Sequence, residues 1–171
     1  TFGELDELSN RFAHYLLYEL NLKKGDRVAI MLPNVNQYPI ALCGILKAGL
    51  VVVNVNPLYT PRELKHQLSD SRAKTIIILE NFANVLSEVI HETSIEKVIL
   101  TKMGDMLSFP KNHIVNFVVK HIKKLVPPYE FSDSSSFLEI LSKNKNSQLE
   151  KIDIDIEDIA FLQYTGGTTG L

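Results

Sequence analysis

At 171 residues, 45% hydrophobic and 22% charged, with a net charge of −2, the sequence has the balance of an ordinary globular chain. That charge gives no basis for a nucleic-acid partner. The single cysteine, Cys43, excludes an internal disulfide and fits a reducing compartment, and its apolar setting in IALCGILKAG is that of a buried structural thiol. No apolar run approaches the ~18 residues of a bilayer span, and no signal-peptide pattern is present. The chain opens on Thr1 rather than Met and ends inside a run of glycines and threonines, as expected of a piece of a longer protein.

TFGE reads as a capping box, with Thr1 as N-cap and Glu4 reaching back, ahead of a helix with Leu5, Leu8, Phe12, Leu16 and Leu20 at helical spacing. KKGD ends it, and RVAIML (Arg27–Leu32) reads as a buried strand. A second helix follows, with Pro39 in its first turn and Gly49 at its C-terminal end, and then the β-branched strand LVVVNVN. TPRELKHQLSDS carries another capping box, from Thr60 to Glu63, with Pro61 at the first helical position. The strand KTIIIL, a helix near Phe82–His91 and the strand KVILT complete an alternation that predicts an α/β fold with a largely parallel sheet.

Beyond Gly104 the pattern changes. VPPYEFSDSSS and SKNKNSQ read as loop-rich connections around a helical stretch at Phe137–Leu141, and DIAFLQY reads as a strand leading into the terminal loop. The expected division is an α/β subdomain over 1–103, an insert over 104–150, and a strand with a truncated loop over 151–171.

Within the insert, NHIVNFVVKHIKKLV (Asn112–Val126) is amphipathic at 100° per residue. Ile114, Val115, Phe117, Val118, Val119, Ile122, Leu125 and Val126 fall on one side. Asn112, His113, Asn116, Lys120, Lys123 and Lys124 fall on the other. That pattern suits a helix with a solvated face, and equally one lying on an anionic membrane surface.

The terminal run YTGGTTGL offers three glycines and three threonine hydroxyls, a composition suited to cradling phosphate or to a tight turn. It is not a P-loop: only three residues separate Gly166 from Gly170, and no lysine follows. KIDIDIED opens like a calcium loop but lacks the sixth-position glycine and the twelfth-position glutamate, and is expected to be an acidic segment packing its isoleucines on one face. His14, His66, His91, His113 and His121 show no metal-site spacing, and no nucleophile elbow is present.

Taken in order, LQYTGGTTG after DIAF, TFGELDELSNRFAHYL, GDRVAIMLPN and Ala41–Lys74 resemble the adenylate-forming, AMP-producing acyl-CoA synthetase superfamily. The likeness covers roughly 1–101 and 157–171, and NVNPLYTPRELKHQL with FPKNHIVNFVVKHIKKLVPP is similar to bacterial long-chain fatty-acid–CoA ligases. The resemblance implies part of a large N-terminal domain. It implies ATP, Mg2+ and CoA as cofactor and co-substrates, with a long-chain fatty acid as the acid activated. It also implies a cytoplasmic protein that is peripheral on the inner membrane face and free to form oligomers.

Carried over residue by residue, Thr165, Gly166, Gly167, Thr168, Thr169 and Gly170 bind the ATP phosphates, Thr168 contacts magnesium, and Tyr164 anchors the loop. Lys120, Lys123 and Lys124 become candidates to face the membrane. The family's loop runs on to a Lys-Gly pair not present here, so the chain alone is expected to be inactive. Ligation of a medium-chain or aryl acid, or a non-catalytic nucleotide-binding or membrane-docking role, stays open.

Overall fold

The apolar runs condense into one six-stranded sheet in a computed structural model, which describes residues 1–143, 149–150 and 152–165. The strands are β1 (Arg27–Met31), β2 (Val51–Asn54), β3 (Thr75–Leu79), β4 (Lys97–Thr101), β5 (Ser134–Ser136) and β6 (Phe161–Gln163). Every pairing is parallel, in the order β5-β4-β3-β1-β2-β6.

The chain therefore starts mid-sheet, steps one way to β2, then crosses back to β3 and onward. The crossover helices are forced onto opposite faces. Of the helices, α1 (Phe2–His14) and α2 (Gln37–Lys47) cover one face together with α6 (Phe137–Lys143). The other is covered by α3 (Pro61–Ser71) and α4 (Ala83–Val89). Strand side chains alternate accordingly: Val28, Ile30, Val52, Ile77 and Ile99 enter the first core, and Ala29, Met31, Val53, Ile76 and Ile78 the second.

Both capping boxes form. Thr1 Oγ1 accepts the Glu4 N–H and the Glu4 carboxylate reaches back to the N-cap backbone; Thr60 and Glu63 repeat the arrangement at α3. The first helix continues past His14 as a π-helical turn over Tyr15–Glu19. There the Tyr15 hydroxyl donates to Ser135 Oγ at 3.1 Å.

Three expectations are corrected. VPPYEFSDSSS is not all loop, because Ser134–Ser136 pair with Val98–Leu100 as the edge strand β5. Backbone pairing and the Tyr15 contact, not side-chain propensity, put three serines there. The isoleucines of KIDIDIED do not share a packed face. Ile152 lies over Gly49, while Ile154 and Ile156 are 55% and 96% exposed.

The helix expected over 112–126 is α5 (Lys111–Phe117) followed by a π-helical turn over Val118–Ile122, and its faces are not those of simple 100° spacing. Asn116 turns inward, its Oδ1 accepting the Gly104 N–H at 2.8 Å and its Nδ2 donating to Asp105 at 3.1 Å. Asn112 buries its side-chain oxygen. Ile114, Phe117, Ile122 and Leu125 are left 55–61% exposed. A turn that must satisfy the Gly104 amide outweighs the apolar preference of the other face.

Gly44 lets α1 and α2 approach closely. A Cβ there would lie 2.8 Å from Phe12 Cδ1 and 3.0 Å from the Ser9 carbonyl oxygen, and Phe12 cannot retreat because it packs edge-on against Phe137 at 5.0 Å. Gly44→Ala is expected to destabilise the fold by about 1–3 kcal/mol through overpacking, read as a lower urea midpoint at unchanged slope.

Candidate functional site

In an open parallel sheet the strand carboxyl ends share one rim, and ligands bind outside it. Residues beyond that rim escape the two-sided burial that makes the strands apolar, so polar side chains collect there. At the end of β4, buried Gln37 donates to Thr101 Oγ1 at 3.1 Å and to the Lys102 carbonyl at 2.8 Å. The Thr101 hydroxyl and the Lys102 N–H in turn donate to Asp105 at 3.1 and 2.8 Å. Beyond β3, Asn81 donates to the Leu125 carbonyl at 2.9 Å. The Tyr129 hydroxyl donates to Glu80 at 3.0 Å, and burial followed by the Glu80 charge pushes that phenol well above its usual range. These bonds fasten the α5 hairpin to the rim.

At the β2–β6 end the network belongs to the terminal loop. The Tyr38 hydroxyl donates to Asn54 Oδ1 at 3.0 Å, and Asn54 Nδ2 donates to Gln163 Oε1 at 3.0 Å. Gln67, 2% exposed, donates to the Asn54 carbonyl at 2.7 Å and leaves its own Oε1 without a partner. One residue on, the Tyr164 hydroxyl donates to Asp70 Oδ2 at 2.5 Å. Burial, then the Asp70 carboxylate, pushes the Tyr164 phenol up to about 12, with Arg27 opposing weakly.

Thr165, exposed at the end of β6, is the one expected phosphate-binding residue whose position is described. Gly166, Gly167, Thr168, Thr169 and Gly170 lie outside the described residues. Lys120, Lys123 and Lys124 are all exposed, with Lys120 on the wall of a cavity of about 360 Å³ shared with Glu80, Asn81 and Asn116. A polar cavity of about 740 Å³ opens beside β5, and Gln163, Tyr164 and Thr165 line neither of the two.

Among the described residues no group of three or more His, Cys, Asp or Glu is placed to hold a metal. Thr168, expected from the sequence to contact magnesium, lies outside the described residues.

Asn54, Gln67 and Asp70 were not singled out from sequence, although a signal existed. Gln67 is buried on the face of α3 that also buries Leu64 and Leu68, whereas Asp70 is exposed near the helix end. A buried polar side chain on that face is there to meet something.

A doubly wound parallel α/β sheet whose edge strand β6 leads, at the carboxyl rim, into a glycine- and threonine-rich sequence is an architecture that nucleotide-binding proteins use. A model of the AMP-binding enzyme family matches residues 1–171, and the chain belongs to that family. It is 59% identical over 171 residues to the long-chain-fatty-acid–CoA ligase of Salmonella typhimurium strain LT2 and 58% identical to that of Escherichia coli O6:H1. In each case all of this chain is covered but only 30% of the relative. Over 150 residues it is 39% identical to the ligase of Bacillus subtilis.

Among solved structures the fold matches a long-chain-fatty-acid–CoA ligase from Archaeoglobus fulgidus at a TM-score of 0.73 and 23% identity. It matches an anthranilate–CoA ligase at 0.76 and 21%. Each match covers 99% of this chain and 28% of the other.

Because the Tyr164 phenol is protonated when packed, its stabilising effect is full below the ordinary tyrosine pKa and is lost as pH rises through about 12. The difference in phenolate absorbance between the native chain and Tyr164→Phe is expected to titrate at about 12 and to move toward the ordinary value in Asp70→Asn.

Proposed function

We propose that the protein containing this chain activates a long-chain fatty acid with ATP and passes the acyl group to coenzyme A. What carries the reading is identity of 57–59% along the full chain to curated long-chain-fatty-acid–CoA ligases. In the first half-reaction a carboxylate oxygen bonds to the α-phosphorus as the bond to the bridging β-phosphate oxygen breaks, giving acyl-adenylate and pyrophosphate. In the second, the CoA sulfur bonds to the acyl carbon and AMP departs with the former carboxylate oxygen.

The first step brings an anion to an anion, so holding the triphosphate in line and offsetting its charge are the main demands on the protein. In this reading the backbone amides of Gly166, Gly167 and Gly170, with the hydroxyls of Thr165, Thr168 and Thr169, hold the β- and γ-phosphates. The Thr168 hydroxyl also faces Mg2+, which when bound neutralises phosphate charge. Glycine suits these positions because a Cβ would hold the amides away from the phosphate.

The same reading places the protein in the cytoplasm, against the inner membrane face. Residues 106–129 contain four lysines, two histidines and no acid, within a chain of net charge −2. The α5 hairpin exposes Phe109, Ile114, Phe117, Ile122 and Leu125 beside Lys120, Lys123 and Lys124. Exposed apolar side chains within a purely basic stretch complement an anionic lipid surface. No helix among the described residues is long and apolar enough to cross a membrane.

In the full-length protein, palmitate is expected to drive ATP–pyrophosphate exchange, and Thr168→Ala to slow it about a hundredfold, the scale of losing one donor to a developing charge. Exchange with benzoate but not palmitate would make it an aryl-acid ligase. Exchange with no acid would leave a binding module.

Changing Lys120, Lys123 and Lys124 together to glutamine is expected to weaken sedimentation with phosphatidylglycerol vesicles about a hundredfold, at about 1 kcal/mol per lysine. Exchange in detergent-free buffer should stay unchanged. Equal sedimentation of the variant would remove the membrane assignment.

A further inference from the structure

Asp70 is an exposed residue of α3. It lies in the last turn of α3, where the helix dipole disfavours a carboxylate, and among the described residues it makes no ion pair. Among the described residues its side chain accepts the 2.5 Å hydrogen bond from the Tyr164 hydroxyl, ninety-four residues later in the chain, within the short range of O–H to carboxylate bonds.

The element that benefits is weakly held otherwise. β6 is a three-residue edge strand paired on one side only, with Phe161 43% exposed. Its last residue, Gln163, is clamped to β2 through Asn54, which Tyr38 and Gln67 fix from two other directions. The next residue, Tyr164, is clamped to α3 through Asp70. Two consecutive side chains, tied to two different elements, set both the position and the direction in which the chain enters Thr165. α3 is a firm base for this, capped by Thr60 and Glu63 and buried through Leu64 and Leu68.

We propose that Asp70 is a positioning residue for ATP: acting through Tyr164, it aims the first residue of the phosphate loop without touching the nucleotide. This rests on the assignment of Thr165–Gly170 to the triphosphate. Loss of the contact frees the Tyr164 side chain and with it the entry to Thr165, so the effect falls on ATP affinity rather than on the acid or CoA.

In the full-length protein, Asp70→Ala and Tyr164→Phe are each expected to raise KM for ATP in palmitate-dependent pyrophosphate exchange by about five- to tenfold. KM for palmitate and the thermal midpoint should hold. Asp70→Asn, which keeps an acceptor, should restore most of the affinity. The double variant should be no worse than the worse single one, since both remove the same bond.

An unchanged KM for ATP in Tyr164→Phe, with its folding checked by an unchanged thermal midpoint, would overturn the proposal. So would equal rises in KM for ATP and palmitate, or additive effects in the double variant. If the native protein shows no exchange with any acid, the ligase reading fails instead. ATP affinity by calorimetry then still decides: a five- to tenfold loss supports the role of Asp70, and no loss refutes it.

Discussion

Every strand of this sheet runs the same way, and most of what is functional follows from that. A parallel strand buried on both faces has no side from which a polar group can reach water, and β1 and β3 accordingly read RVAIM and TIIIL. Polar chemistry is pushed to the strand ends. Because all six carboxyl ends lie along one rim, the side chains that can hydrogen-bond are gathered there, at Asn54, Glu80, Thr101 and Gln163. The same direction requires helical crossovers, and these bring Gln37 and Tyr38 of α2 and Gln67 of α3 to that rim from opposite faces.

The rim is held by short chains of bonds in which each polar atom has a defined role. Asn54 shows why this matters. Its carboxamide accepts from Tyr38 and donates to Gln163, so its orientation is fixed by its neighbours, and its carbonyl is occupied by Gln67. A half-buried amide holding a partner at each end cannot rotate without giving up both bonds, each a net contribution of about 0.5–1.5 kcal/mol. The network is therefore stiff, and stiffness at the base of a glycine-rich loop limits the directions from which that loop can start.

Where the sequence was legible, a single local rule dominated. Thr1 with Glu4 and Thr60 with Glu63 start helices because the bonds lie within one turn, and the Val- and Ile-rich runs form strands because nothing competes for them. Where it was not, distant partners decided. Ser134–Ser136 lack strand propensity and pair because β4 offers a free edge. The α5 faces are set by the Gly104 amide and Asp105, which periodicity cannot weigh, and the π-helical turn after Phe117 shifts the register again. At the site, the loop's composition and its strand were readable. Its anchors were not, since Asp70 and Asn54 acquire meaning only once β6 is laid beside β2 and α3.

The two features that leave this rim have opposite chemistry. The glycine- and threonine-rich loop departs from β6, and the basic, apolar hairpin around α5 departs from β4, four strand positions away across β3, β1 and β2. At about 4.8 Å per strand the separation is about 19 Å, along a single edge and not across the sheet. The proposed reaction joins a highly charged nucleotide to a chain that partitions into lipid, and no single pocket chemistry suits both. A parallel sheet separates them laterally while keeping both on the one side where ligands can approach, so in the proposed reading a membrane lying against the hairpin would leave the β6 end of the rim in water.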